Sequence, residues 1–332
     1  MTFDLYDVLG IMSMGLIKVP PKEKEEPILY IPKEIPPMKC SFRPRILEEY
    51  IGQSNAKELI RLNIEKIKTI KPVHFIINGT RGHGKSTLAY IIAKELDFKI
   101  HTYIGGSFSM TNLNDFLLEN QAGGYHILFI DEIHGLIKEI AEFMYPIIED
   151  FEYPINNDKL RKFIMIGATT DKNILLKKFG PLVDRCGAQI NLEHYQPEDI
   201  KKILKQYNAQ THKMDIDDSI YDILSVNTRF NPRTSLALFD DYVVCRDINK
   251  VLRAHRVVKD SLTTDDMIIL KHLSDVGEPV GVETLAIITQ QTKEDYISLI
   301  EPFLLQHGYM SRTSRGRVVT TKGKDLVRSI NG

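Results

Sequence analysis

Eight residues constrain this chain more than any others: Gly79-Thr80-Arg81-Gly82-His83-Gly84-Lys85-Ser86. They fit the pattern G-x-x-x-x-G-K-[ST]. They sit between a short apolar run, VHFIIN at 73–78, and a stretch over 85–96 that reads as a helix. That context predicts a strand, a glycine-rich turn and a helix in succession. Such glycines let backbone N–H groups turn toward a phosphate, and the following helix adds the positive end of its dipole. Lys85 is placed to reach the β and γ oxygens, and the Ser86 hydroxyl to ligate Mg²⁺. ATP with Mg²⁺ is therefore the expected ligand pair. The residues expected to hold it are Gly79, Gly82, His83, Gly84, Lys85, Ser86 and Thr87. A chance glycine-rich turn would lack the flanking strand and helix.

Two further apolar runs extend the pattern. ILFI at 127–130 ends in Asp131-Glu132, and FIMI at 163–166 ends in Gly167-Ala168-Thr169-Thr170. Short apolar runs separated by helical stretches point to an α/β fold, a parallel sheet with helices on both faces. Open sheets of this kind hold ligands at the carboxyl ends of their strands. Asp131 is expected to hold Mg²⁺, and Glu132 to orient or deprotonate the attacking water. A solvated acidic turn is the alternative, and it carries little weight beside a phosphate loop. A Thr170 hydroxyl at a neighbouring strand tip can position the water or touch the γ-phosphate. On its own a threonine in a strand says little.

The 332 residues allow two or three domains, and 43% hydrophobic with 26% charged residues is an ordinary globular mix. A net charge of −1 removes any bulk electrostatic argument for nucleic acid, so such an argument must be local. Cys40, Cys186 and Cys245 are far apart and form no CxxC pair, which suits a reducing cytoplasm. No run of about 18 apolar residues predicts a membrane span. The fairly apolar start, 1–17, carries Asp4 and Asp7 where a secretory signal would carry Lys or Arg, so it is not read as one. It is read as a tail that packs on its own domain or frays, in preference to an amphipathic helix on a tether. Six prolines between 20 and 37 make 18–40 an extended linker.

After the third apolar run the pattern changes. Residues 191–258 lack strand signals, and Pro197-Glu198-Asp199 opens a helix with Ile200, Ile203 and Leu204 on one face. Residues 259–332 read as short helices followed by two short strands, the pattern of a winged helix. The expected organisation is an arm and linker over 1–40, an α/β ATPase domain over 41–190, a helical lid over 191–258 and a winged helix over 259–332. Segment 311–332 carries Arg312, Arg315, Arg317, Lys322, Lys324 and Arg328 against Asp325 alone, a net +5 in a nearly neutral chain. Cations around Gly316 suit contact with backbone phosphates, which is sequence-independent. Arg312, Arg315 and Arg317 are the expected DNA contacts. A solvated basic tail is the alternative.

Taken in order, these motifs resemble the RuvB family of Holliday-junction branch-migration ATPases, within the AAA+ superfamily. The matching segments begin with Phe42-Arg43-Pro44, Glu49-Tyr50-Ile51-Gly52-Gln53, GTRGHGKSTLA and LFIDEIHGL. They continue with Tyr145-Pro146-Ile147-Ile148-Glu149-Asp150, IGATT, Pro181-Leu182-Val183-Asp184-Arg185 and Asn231-Pro232-Arg233. They end with PVGVETLA at 279–286 and RTSRGRV at 312–318, the most specific pair. The resemblance implies an AAA+ sheet domain, a helical lid and a winged helix. It also implies ATP-driven movement of duplex DNA at branched junctions. By the same resemblance Tyr50 and Ile51 line the adenine pocket, Thr170 is the first sensor and Arg233 the second. Arg185 becomes the arginine finger that reaches a neighbour's γ-phosphate. Without it, Arg185 and Arg233 would read as surface ion-pair partners. A finger acting in trans implies a homo-oligomer, a hexameric ring.

Departures from the family pattern are equally legible. Thr80-Arg81 and His83 replace prolines and an apolar residue. Val183 stands where many relatives carry a first arginine, and Asp171-Lys172 follows IGATT where Arg is usual. The 150–163 segment is too short for the long hairpin that docks on RuvA, and the first 40 residues are extra. A different loading partner is therefore expected. Two other functions use the same residues: a clamp-loader-like or initiator-like switch, and a nucleotide-gated DNA-binding scaffold. Glu132 and Arg185 argue against the scaffold, which would need neither.

Overall fold

The computed structural model describes residues 42–331. The N-terminal tail, the proline-rich linker and Cys40 lie outside the described residues. Five strands form one parallel sheet: β1 (Phe75–Asn78), β2 (Lys99–Ile104), β3 (His126–Asp131), β4 (Ile164–Thr169) and β5 (Ala188–Asn191). Their spatial order is β2-β3-β4-β1-β5. The three central strands, β3, β4 and β1, are the three apolar runs seen in the sequence. They are buried on both faces, so they cannot alternate with polar residues. Of the edge strands, β5 alternates buried with exposed positions and β2 has only half-buried and exposed ones, and neither was foreseen.

Side chains of period two divide the core into two layers. Phe75, Ile77, Ile127 and Phe129 face one side, covered by α1 (Ser54–Thr69) and α2 (Lys85–Leu96). Ile76, Leu128, Ile130 and Met165 face the other, covered by α3 (Met110–Ala122), α4 (Lys138–Glu149) and α5 (Lys172–Asp184). Val183 is buried in this second layer. The segment after α4 closes as a tight turn, as its length predicts. Tyr153 N–H donates to the Asp158 carbonyl at 2.9 Å, Asn157 N–H donates back to the Tyr153 carbonyl at 2.9 Å, and Glu152 pairs with Lys159.

Four helices follow: α6 (Pro197–Gln210), α7 (Asp218–Val226), α8 (Pro232–Cys245) and α9 (Ile248–Ala254). Proline at its first position and Glu198 and Asp199 in its first turn favour the start of α6. These helices close around their own cluster of Ile200, Leu204, Tyr221, Leu238 and Phe239.

A third core holds the C-terminal part. A small hairpin, β6 (Val257–Lys259) and β7 (Leu262–Thr263), leads into α10 (Thr264–Val276) and α11 (Val282–Ile288). Then come α12 (Lys293–Asp295), a π-helical turn over Tyr296–Ile300 and α13 (Glu301–Gln306). The antiparallel wing is β8 (Met310–Thr313) with β9 (Gly316–Val319), and Val280 bridges to Arg317 beside it. A last helix, α14 (Thr321–Asn331), was not foreseen, so Lys322, Lys324 and Arg328 are helical and not part of a tail.

Candidate functional site

The strand order brings the tips of β3, β4 and β1 side by side. The phosphate loop leaves β1, and Gly79 N–H donates to the Thr169 carbonyl of β4 at 3.2 Å. Gly82 and Gly84 have φ of +87° and +91°, which side chains rarely tolerate. A Cβ on Gly84 would also strike the Tyr50 hydroxyl. Lys85 opens α2 and is buried, its Nζ donating to the carbonyls of Gly79 at 2.8 Å and Thr80 at 3.3 Å. Burial pulls its pKa below the ordinary lysine value, against the opposing pull of Glu132 and Asp131. Thr87, also on α2, is half-buried behind it.

Ser86 and the β3 acids form one cluster. The Ser86 hydroxyl donates to Asp131 Oδ2 at 3.1 Å. Two hard oxygens at that separation are a donor set that fits Mg²⁺. Glu132 adopts φ +48°, and its N–H donates to Asp131 Oδ1 at 3.0 Å. Its Oε2 accepts from Thr170 twice, from the N–H at 3.2 Å and from Oγ1 at 2.9 Å. His134 Nδ1 lies 3.3 Å from the same carboxylate oxygen and 2.9 Å from Thr169 Oγ1. His134 was not foreseen, although its place two residues after Glu132 was visible.

Behind the loop, Tyr50 is buried and its hydroxyl donates to the His83 carbonyl at 2.9 Å. The Tyr195 hydroxyl donates to that of Tyr50 at 3.1 Å. Ile51 packs against the helical cluster of the lid. Tyr50 and Ile51 thus stand between loop and lid, with the Tyr50 hydroxyl engaged by the loop backbone. His83 is buried, and its Nδ1 has no hydrogen-bond partner. Burial, with the charges of His194 and Lys85, pushes its pKa down to about 4. Gln53 and Glu193 exchange hydrogen bonds at 2.7 and 2.8 Å, fixing the segment that carries Tyr195. Gln53 lay in a matching segment with no role assigned to it, and Tyr195 was not singled out by pattern.

Two arginines take different places. Arg233 lies in the first turn of α8, exposed, and its charge reaches Lys85. The N-cap of the same helix, Asn231, donates through Nδ2 to the Arg81 carbonyl at 2.8 Å, tying the lid to the loop. Arg185 ends α5 and does not meet its own phosphate loop. Its Nε donates to Glu149 at 2.7 Å, and its guanidinium sits 4.9 Å from the centre of the Tyr145 ring.

On the wing, the three arginines are not equivalent. Glu301, fully buried, accepts from Arg312 Nε at 2.8 Å and Arg317 Nε at 2.7 Å. The second oxygen accepts from both terminal nitrogens, at 2.8 and 3.1 Å. Burial alone would raise the carboxyl pKa, but the two guanidinium groups outweigh it and hold it below the usual range. Arg312 and Arg317 are therefore occupied, which the count of cations does not reveal. Arg315, at the turn between β8 and β9, is exposed and forms no ion pair among the described residues. Elsewhere on the sheet, His101 and His126 hydrogen-bond each other at 2.9 Å, and Glu119 pairs with Lys99. That cluster satisfies its own groups.

A parallel sheet with a phosphate loop, an Asp-Glu pair and a threonine on adjacent strand tips, under a helical lid, defines a P-loop ATPase of the AAA+ class. The family model described as the Holliday junction DNA helicase RuvB P-loop domain matches residues 42–192, and the RuvB C-terminal winged helix domain matches 259–328. The chain is 33% identical over 309 residues to the Holliday junction branch migration complex subunit RuvB of Thermotoga petrophila, covering 85% of this chain and 90% of that protein. It is 35% identical over 307 residues to the subunit of the same name from Ehrlichia canis, covering 85% and 92%. The solved Thermotoga maritima RuvB branch migration motor aligns with a TM-score of 0.73 at 30% identity, over 86% of this chain and 98% of that one. The chain belongs to the RuvB family.

Proposed function

We propose that this protein is an ATP-driven motor that moves duplex DNA at Holliday junctions or related branched DNA. The observation that carries the reading is the cluster of Ser86, Asp131, Glu132 and Thr170 on adjacent strand tips. It supplies the groups that ATP hydrolysis requires. Ser86 and Asp131 would hold Mg²⁺, which neutralises charge on the phosphate oxygens. Lys85 gives up two backbone carbonyls for the β and γ oxygens. Glu132, oriented by Thr170 and His134, positions and deprotonates the attacking water. Arg233 approaches the γ-phosphate from the lid of the same subunit. Arg185 acts on the site of a neighbouring subunit, since its own contacts are to Glu149 and Tyr145 and not to its own loop.

This division of labour requires an oligomer, and we assign a hexameric ring. DNA contact is made to backbone phosphates by the wing, with Arg315 leading and Arg312 and Arg317 shaping the surface. The tight turn at 151–160 leaves no long arm to dock on RuvA, so another loading partner takes that role. The arm and linker of 1–40, an ATPase domain to about 190, a lid to 258 and the winged helix beyond complete the proposed organisation. No helix among the described residues is long and apolar enough to cross a membrane. We place the protein in the cytoplasm, where the free thiols Cys186 and Cys245 stay reduced.

The test is ATP turnover and strand exchange measured with no DNA, linear duplex and a four-way junction. Strand exchange on the junction is the expected result. DNA-stimulated hydrolysis without exchange would replace the motor by a switch, and no hydrolysis would leave a scaffold.

A further inference from the structure

Residues 229–231, just before α8, join two sites. Asn231 reaches the phosphate loop, donating to the Arg81 carbonyl at 2.8 Å, and the loop approaches so closely that a Cβ on Gly82 would overlap the Asn231 side chain. Two residues earlier, Arg229 reaches the winged helix. Its terminal nitrogens donate to Asp266 Oδ2 and to the Leu299 carbonyl, each at 2.5 Å. Its backbone N–H donates to Ser261 Oγ at 2.7 Å, and its guanidinium lies 4.7 Å from the centre of the Phe303 ring. Asp266 is fully buried, and the same Oδ2 caps α10 by accepting from Thr263 N–H at 2.6 Å. Arg229 and Phe230 have φ of +52° and +53°. Left-handed backbone costs about 1–2 kcal/mol per non-glycine residue, so the surrounding contacts must hold this geometry.

We infer that Arg229 is a positioning residue that couples the phosphate loop to the winged helix. Because Asn231 and Arg229 are two residues apart on a strained strap that is hydrogen-bonded at both ends, a shift of the loop is carried along the strap. A rearrangement at Arg81 when nucleotide binds or leaves is passed through Asn231 and Arg229 to Asp266 and the start of α10. The inference rests on the phosphate loop being the nucleotide site.

Hydrogen exchange on the full chain, with and without a non-hydrolysable ATP analogue, tests it. In the wild type, protection rises over 79–86, and exchange over 261–270 changes by about 5-fold or more, the lower end of ordinary coupling. In Arg229→Met the loop response stays and the response over 261–270 disappears. Removing Arg229 leaves Asp266 buried without its cation, so Asp266→Asn is measured beside it. That substitution keeps an oxygen for the α10 cap while weakening the bond to Arg229, and it decides the matter if Arg229→Met loosens the winged helix without nucleotide. An undiminished response over 261–270 in a folded variant overturns the inference, as does a wild type whose loop responds and whose winged helix does not. If the wild-type loop itself fails to respond, the nucleotide-site reading fails, and the coupling falls with it.

Discussion

Replacing Glu301 with glutamine removes one charge from the centre of the wing and keeps its shape. The carboxylate accepts four N–H bonds, two from Arg312 and two from Arg317. A hydrogen bond to a charged group contributes about 1.5–3 kcal/mol, and an amide oxygen can keep no more than two of the four. The Arg312 side chain is 54% exposed, so water recovers much of its share, whereas Arg317 is only 17% exposed. The net loss is about 3 kcal/mol, at the lower edge of the cost of breaking a buried ion pair. The wing reports this directly, because Arg317 N–H donates to the Val280 carbonyl at 2.8 Å and Val280 N–H returns the bond at 3.0 Å. A loss of that size speeds exchange of both amides by about 100-fold. Acid should have the same effect on the wild type. The folded carboxyl has a pKa below its ordinary 4.5, so its stabilisation is present above 4.5 and fades as pH falls through the folded value. The variant lacks that acid step. Acceleration under about 5-fold, or less than 1 kcal/mol, would refute the reasoning.

Four other outcomes are expected. Glu132→Gln binds a fluorescent ATP analogue normally and loses about 10²–10⁴ in turnover; ordinary turnover would remove Glu132 from the water-activating role. Arg185→Ala keeps ATP affinity and loses about 10³ in turnover, and mixing it with Glu132→Gln subunits restores part of the activity; no recovery would mean that Arg185 does not act between subunits. Arg315→Ala leaves the wing stable, weakens DNA binding and lowers the slope of log affinity against log salt by about 1, as read by fluorescence anisotropy across a salt series. His74 is buried, accepting from Met165 N–H at 2.9 Å and lying 2.8 Å from the Ile148 carbonyl. Burial pushes its pKa from 6.5 to about 4. Its stabilisation is thus complete above pH 6.5 and lost toward pH 4, about 3 kcal/mol in all, and His74→Gln should flatten the unfolding free energy over that window.

The nucleotide half of the site was legible because its determinants are local in the chain. The loop needs glycines and a lysine in one octapeptide, and the acids need only a strand buried on both faces to deliver them. The central strands announced themselves for the same reason, while β2, reading KIHTYI with no fully buried position, did not. Helix α14 was hidden under a count of positive charge that took no account of backbone.

Chain order alone dictated the phosphate loop, the Asp131-Glu132 turn, the sheet type and the family. Tertiary structure alone decided which groups those residues meet: Tyr195 on Tyr50, Asn231 on Arg81, His134 on Glu132 and Glu301 between two arginines. A backbone motif is written by neighbours a few bonds apart. A charge pair across a core depends on how elements pack, and so Arg315, Arg312 and Arg317 look alike in a string of letters. In the folded wing, a buried carboxylate 11 and 16 residues upstream occupies two of them.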